Sequence, residues 1–166
     1  MPHVRFWQQS DLPDLTRMAA VTAWNITPPD DKPYTSPEVV GMNAYHNLMR
    51  VLGSPGGTAV VVEDQGRPVG YFLIAIQPNH KTSLPFGYAA DIYLEPAYRK
   101  GGVARQMHDL AEGYLRQLGI GTLTNWTHAH NPLGQKASDR NGFRIEGMMM
   151  AKDLWAEAMA ARAAVV

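Results

Sequence analysis

Tyr98-Arg99-Lys100-Gly101-Gly102-Val103-Ala104-Arg105 joins a strand-like segment to an amphipathic helix in this chain of 166 residues. The two adjacent glycines carry no side chains that would keep a ligand away from the backbone. The helix begins directly after them, and the first N–H groups of a helix have no partner inside it. Several N–H groups therefore point to one place, which favours an anion.

The flanking residues support this interpretation. Ala89-Ala90-Asp91-Ile92-Tyr93-Leu94 is an apolar, strand-like run, and Glu95-Pro96 ends it because proline cannot donate to a ladder. Downstream, apolar residues recur at helical spacing until Gly119 stops the helix. The order strand, glycine turn, helix is thereby predicted.

Two common phosphate-binding motifs do not fit the chain. A P-loop requires Gly-Lys followed by Ser or Thr, and neither tripeptide occurs. The segment Gly119-Ile120-Gly121-Thr122-Leu123-Thr124 lacks the third glycine of a dinucleotide fingerprint and leads into a strand. A glycine turn that merely caps an ordinary helix remains the alternative.

The glycine turn resembles motif A of the GNAT (GCN5-related N-acetyltransferase) superfamily, written [RQ]-x-x-G-x-[GA] and matched by Arg99, Gly102 and Ala104. The resemblance implies that the turn binds the pyrophosphate of acetyl-CoA. Together with the preceding strand and a second motif, it implies these cofactor-binding residues: Ile92, Tyr93, Leu94, Arg99, Lys100, Gly101, Gly102, Val103, Ala104, Arg105 and Asn131.

The second motif is the segment from Asn131 to Phe143, which resembles the family's N-x-x-A-x-x-L-Y-x-x-x-G-F. Its ends match and its middle departs: Gly134 replaces the usual alanine, and Ser138 stands where the family commonly has a general-acid tyrosine. Asn131-Pro132 predicts a helix start, with asparagine as N-cap and proline at the first helical position. A short capped helix without a function fits the same pattern.

Composition excludes several classes of protein. The 15 basic and 15 acidic side chains cancel, which argues against nucleic acid or an anionic membrane as the main partner. Without cysteine there is no disulfide framework and no thiol nucleophile. No apolar run reaches membrane-spanning length, and the polar start differs from a signal peptide, so a cytoplasmic location is expected.

Periodicity predicts the element order β-α-α-β-β-β-α-β-α-β, which is the GNAT order. The expected fold class is α/β (α+β), with a mixed central sheet of about six or seven strands and about four helices. One domain is expected over residues 1–166, with the motif core at about 58–150 and variable, acceptor-binding helices at about 11–52. The predicted strands include 122–129 and a last one near 144–152.

Acyl transfer from a thioester to an amine requires a base, a donor for the oxyanion and an acid for the thiolate. A backbone N–H at the end of strand Ile92-Tyr93-Leu94 is the oxyanion donor that the family implies. Asp91 and His128 are the candidate bases, and Ser138 is the candidate acid. His128 and His130 are expected on one face of a strand, but a metal site needs a third ligand, so no metal is expected. Each of these residues also has a purely structural interpretation.

The predicted function is an acetyl-CoA-dependent N-acetyltransferase that acts on a primary amine of a small molecule or peptide by direct attack. One alternative is a GNAT-like module that binds acyl-CoA without efficient catalysis, and another is an acyl-CoA hydrolase or an acyltransferase to oxygen. A homodimer is also expected, because Met148-Met149-Met150 and Leu154-Trp155 are more apolar than the monomer core requires.

Overall fold

A computed structural model describes residues 2–80 and 82–145 of the chain. In this part, five strands form one sheet in the order β1-β2-β3-β4-β5, accompanied by four α-helices and three short 3-10 helices. The main elements are β1 (His3–Phe6), α1 (Leu12–Ile26), α2 (Pro37–Leu52), β2 (Thr58–Asp64), β3 (Arg67–Pro78), β4 (Pro85–Leu94), α3 (Val103–Gln117), β5 (Leu123–Asn125) and α4 (Pro132–Arg140).

The centre of the sheet is apolar on both faces, because helices cover both. Alternate residues of β2 and β3 pack towards α3, Val60 and Phe72 among them, together with Met107 of that helix. The residues between them, such as Val61, pack with Leu15 of α1 and the α2 residues of a second cluster. The valine-rich run of β2 is therefore a strand buried on both sides.

The pairing of β4 changes along its length, and this change creates an opening. β4 is antiparallel to β3 over its whole length, whereas β5 runs parallel to it and pairs only with Gly87, Tyr88 and Ala89. Beyond Ala89, the second edge of β4 has no strand beside it in the described part of the chain. A bulge lies at the same place, since Leu73 pairs with Asp91 and Ile74 with Ala89, leaving Ala90 as the extra residue.

The fold class and the element order are confirmed as far as α4, with corrected boundaries. β5 is shorter than the predicted strand 122–129, so residues 126–131 form a connection. β4 extends further than the predicted run 89–94 and forms a long hairpin with β3, and residues 79–80 and 82–84 are the described part of its connection. Of the predicted last strand, Arg144 and Ile145 have no regular structure, and the remainder, 146–152, lies outside the described residues.

The start of α1 is stabilised by an ion pair rather than by a side-chain cap. Asp11 precedes the helix but makes no side-chain cap to it. Its carboxylate instead accepts two hydrogen bonds from Arg5, at 2.7 and 2.8 Å, and one from the Gln8 N–H. The charge of Arg5 holds the pKa of this carboxyl below its usual range, so Asp11 ties β1 to the entry of α1.

None of the described helices combines the length and the apolar character that crossing a membrane requires.

Candidate active site

The glycine turn presents a row of unpaired backbone N–H groups. A 3-10 helix at Pro96–Tyr98 leads into it, and α3 begins at Val103 after Gly102, whose φ of 76° is left-handed. The N–H groups of residues 100–104 have no acceptor among the described residues, and the first bond into α3 is that from Arg105 to the Gly102 carbonyl. Five donors at the positive end of a helix dipole form an anion site.

The space in front of the turn is open. A Cβ built on Gly101 or on Gly102 would meet no atom within 4 Å. The turn is held from behind, because the Tyr98 hydroxyl donates to the Asp64 carboxylate at 3.1 Å. The residues present therefore fit a phosphate group that approaches the backbone closely.

The three cations near the turn differ in what they contact. The Arg99 guanidinium donates from Nε to the Leu94 carbonyl at 2.8 Å and thus fixes the end of β4. Arg105 pairs with Asp109 one helical turn later, at 2.9 Å, and is exposed. Lys100 is exposed as well. Lys100 and Arg105 thus lie where their charges can reach a bound phosphate, whereas Arg99 positions the strand.

The end of β4 offers backbone groups to the opening beside it. The Glu95 N–H donates to the Val69 carbonyl, and hydrogen-bonded pairs alternate along an antiparallel ladder, so the peptide groups of Ile92 and Leu94 point away from β3. The Ile92 N–H is taken by the Asp91 carboxylate at 2.8 Å. The Leu94 N–H has no acceptor among the described residues. Within the strand end Ile92-Tyr93-Leu94, it is therefore the available donor for an oxyanion.

Asp91 lies at the bulge, where its side chain turns towards Tyr71 of β3. The Tyr71 hydroxyl donates to one carboxylate oxygen and the Ile92 N–H donates to the other. Burial raises the pKa of Asp91 to about 6, and these two hydrogen bonds oppose the rise. A carboxylate with a pKa of about 6 is suited to accept a proton near neutral pH.

His128 belongs to the connection after β5 rather than to a strand. Its ring lies 4.1 Å from that of Trp126 and 4.8 Å from that of His130, centroid to centroid. His130 Nε2 in turn lies 3.1 Å from the Ile26 carbonyl at the end of α1. Burial, with a smaller contribution from His130, lowers the pKa of His128, so the ring is neutral at pH 7 and can accept a proton.

Ser138 joins α4 to β5 through its hydroxyl. The hydroxyl donates to the Gly134 carbonyl at 3.0 Å and accepts from Asn125 Nδ2 at 2.6 Å. The hydroxyl proton is therefore used in the hydrogen bond to Gly134. Donation to a leaving thiolate requires that this hydrogen bond breaks first.

Asn131 is the predicted N-cap of α4, and its side chain accepts from the Gly134 N–H at 3.0 Å. This packing explains why glycine replaces the family's alanine at 134. A Cβ there would lie 2.6 Å from Asn131 Nδ2 and 2.7 Å from Thr127 Oγ1.

Two hydrogen-bond partners in this region could not be predicted from the sequence. Tyr71 is fully buried in an otherwise apolar strand, and only its hydroxyl distinguishes it from a core aromatic residue. Asn125, at the end of β5, gives no signal at all. In residues 2–80 and 82–145, no three His, Asp or Glu side chains group as metal ligands.

At the start of α3, the N–H groups that lack an acceptor in the described part of the chain lie beside the parted strands β4 and β5, a geometry that suits the binding of an acyl donor through its phosphate groups. The model of the acetyltransferase (GNAT) family matches residues 18–143, and the chain belongs to this family. Among curated protein sequences, none is significantly similar.

Solved structures share the fold at low sequence identity. A Pyrococcus furiosus protein described as an acetyl transferase is 14% identical, with a TM-score of 0.77 over 93% of this chain and 100% of that one. The protein AAC(6')-Iy, bound to the bisubstrate analogue CoA-S-monomethyl-acetylneamine, is 17% identical, with a TM-score of 0.68 over 92% and 97%. The ribosomal-protein-alanine N-acetyltransferase of Brucella melitensis is 16% identical, with a TM-score of 0.67 over 93% and 100%.

Proposed function

We propose that the chain is an acetyl-CoA-dependent N-acetyltransferase that acetylates a primary amine of a small molecule or peptide by direct attack. The observation that carries this proposal is the open row of five unpaired N–H groups at residues 100–104, next to the opening between β4 and β5. A neighbour of the same fold was solved with a CoA-containing analogue, which supports the choice of donor.

The donor is held by backbone groups in this proposal. The N–H groups of residues 100–104 bind the pyrophosphate, with the helix dipole of α3 and the exposed Lys100 and Arg105 adding positive potential. The pantetheine arm follows the free edge of β4, where Ile92 and Leu94 present their peptide groups. When bound, the donor supplies the acetyl thioester. Asn131 lies at the start of α4 as its N-cap.

The acceptor side contributes the base. The acceptor reaches Asp91 as an ammonium group, Asp91 takes one proton from it, and the neutral amine nitrogen then forms a bond to the acetyl carbon. The Leu94 N–H stabilises the charge that develops on the acetyl oxygen. The carbon–sulfur bond breaks, and the departing thiolate receives the second proton of the nitrogen, relayed by the Ser138 hydroxyl or by a water that it holds. His128, in the connection after β5, is the second candidate base.

A module that binds acyl-CoA without efficient catalysis is the alternative, and one observation favours it. The Ser138 hydroxyl is bound to Gly134 and Asn125, whereas the family commonly has a tyrosine acid at this position. A thiolate has a solution pKa of about 8.5, so it departs near neutral pH with water as the acid. Loss of the tyrosine is therefore compatible with turnover.

Release of free CoA thiol from acetyl-CoA, measured across a panel of primary amines, tests the function. If the release of CoA depends on an acceptor and Asp91→Asn abolishes it, the result supports an enzyme. Binding of CoA without release in the presence of any amine supports the binding module. Release without an acceptor indicates a hydrolase.

A single domain over residues 1–166, a homodimer and a cytoplasmic location complete the proposal. The methionines at 148–150 and Leu154-Trp155, on which the dimer rests, lie outside the described residues.

A further inference from the structure

Aromatic side chains follow one face of β4 away from the proposed site of reaction. Phe86 and Tyr88 are two residues apart and so share a face of the strand, and both are half-buried. Tyr88 packs with the cluster beneath α1 and α2, which assigns this face to the same side of the sheet as Tyr71. Tyr88 also pairs with Thr124 of β5, and Trp126 follows two residues later with 47% of its surface exposed.

The aromatic face leads into a pocket. A cavity of about 310 Å³ lies at the far end of the strand and is lined by the β3–β4 turn, Phe86, Thr122 and Thr124. Phe86 and Asp91 are five residues apart along β4, which corresponds to about 16 Å at 3.3 Å per residue. A ligand that contacts both Asp91 and this pocket is therefore elongated.

Charges are distributed unevenly along this path. Among the residues that the structure describes, Asp91 is the one carboxylate at the bulge, and Tyr88, Phe86, Thr124 and Trp126 are uncharged. A single carboxylate compensates a single ammonium group, whereas further ammonium groups would lie against aromatic and hydroxyl side chains without a counter-ion. Aromatic rings instead gain most from planar or apolar groups. Asp31, which is exposed, is a further carboxylate, and its charge acts on His128.

On the basis of the proposed function, we propose that the acceptor is a primary amine with one positive charge and an elongated aromatic or apolar body. The amine lies at Asp91, and the body follows Tyr88, Phe86 and Trp126 towards the pocket at the β3–β4 turn. Polycationic amines are poor acceptors on this basis.

The first test compares kcat/KM for phenylbutylamine, spermidine and kanamycin at saturating acetyl-CoA. Phenylbutylamine is expected to exceed both others by about tenfold or more, the difference that 1.4 kcal/mol of extra transition-state binding corresponds to. A preference for spermidine or kanamycin would overturn the inference and leave the proposed function intact.

Variants of the aromatic face provide the second test. Trp126→Ala and Phe86→Ala are expected to raise KM for phenylbutylamine several-fold with little change in kcat, because they remove contacts to the body and not to the reacting atoms. Leu118→Ala, at the exposed end of α3, is the matched control. Trp126 is exposed, so its variant folds even where Phe86→Ala does not. An unchanged KM in Trp126→Ala contradicts the inference.

A binding measurement separates this inference from the proposed function. If no amine is acetylated, the function is wrong, and calorimetry of phenylbutylamine with the CoA-saturated protein then decides the inference. The inference is supported if phenylbutylamine binds and Trp126→Ala weakens this binding. It is overturned if phenylbutylamine does not bind.

Discussion

Two opposing effects act on the pKa of Asp91. Burial disfavours its charge, while the Tyr71 hydroxyl and the Ile92 N–H each donate a hydrogen bond to the charged form. Burial dominates, so the pKa stands at about 6, above the ordinary value of 3.8. Burial also raises the pKa of Tyr71, which keeps its hydroxyl protonated and able to donate.

A pH profile tests this arrangement. The base must be ionised, so kcat/KM is expected to fall as the pH drops below about 6. Asp91→Asn is expected to lower kcat/KM by about 100-fold or more, the usual worth of a general base. Tyr71→Phe keeps the ring but removes one donor to the carboxylate, so the fall should move to higher pH. A profile that Tyr71→Phe leaves in place contradicts the assignment.

The same pKa shift has a consequence for stability. Because the pKa of Asp91 is higher in the folded state, the folded protein binds this proton more tightly than the unfolded chain. The resulting stabilisation is present at low pH and is lost as the pH rises through about 6.

Ser138 is tested by a smaller substitution. Ser138→Ala is expected to slow acetylation of a good acceptor by about tenfold without a change in CoA affinity, which lies below the usual range for a general acid because water can replace it. Asn125→Ala is the control, since it removes the other hydrogen-bond partner of the Ser138 hydroxyl and no candidate acid. Wild-type turnover by Ser138→Ala would mean that the hydroxyl only ties α4 to β5.

The start of α3 is the element on which donor binding depends. Gly102 has a φ of 76° and open space in front of it, and Gly66, in the turn between β2 and β3, has the same φ and equally open space. Backbone strain at the two positions is therefore matched, whereas only Gly102 lies at the unpaired N–H groups.

Gly102→Asn and Gly66→Asn form the corresponding pair of variants. Asparagine tolerates left-handed φ and is a good N-cap, so both proteins are expected to fold with little loss of stability. CoA affinity should fall by about tenfold or more, 1.4 kcal/mol, in Gly102→Asn alone, because its side chain enters the space of the pyrophosphate. Calorimetric titration with CoA measures this. Equal affinities in the two variants would show that the turn does not hold the donor.

The whole molecule should respond to its donor through mass action. Acetyl-CoA or CoA is expected to raise Tm, and a hundredfold excess over Kd adds about 2.7 kcal/mol to the free energy of unfolding. NAD and ATP are expected to do little, since the chain has neither of their glycine motifs. Thermal unfolding with each ligand at millimolar concentration checks this, and no shift with CoA would exclude it as the donor.

Assembly is the second property of the whole molecule. The apolar residues 148–150 and 154–155 lead us to expect a homodimer, because adaptable methionines suit an interface. Light scattering across micromolar concentrations is expected to give twice the mass of one chain, which is 18.3 kDa. Replacing Met149 by Glu should shift the mass towards one chain. A mass of 18.3 kDa for the wild type at every concentration contradicts the dimer.

Local sequence patterns were sufficient to predict the secondary-structure elements and the candidate anion site. Proline at 132 after Asn131, the paired glycines at 101–102 and the glycine at 119 act through φ and through hydrogen bonds between near neighbours, so they are legible in sequence. The α/β class, the order of elements as far as α4 and the unpaired N–H groups of the turn all follow from such signals.

The features of the site that could not be predicted depend on strand register. The bulge at Ala90 turns Asp91 towards Tyr71, 20 positions earlier in the chain, and the early end of β5 leaves the edge of β4 open. Burial and hydrogen bonding between distant residues set the pKa of Asp91, and the same long-range packing commits the Ser138 proton to Gly134. A sequence alone therefore determined which elements form and predicted where an anion would bind, while only the tertiary structure decided which carboxylate has a raised pKa, because burial depends on residues that folding alone brings together.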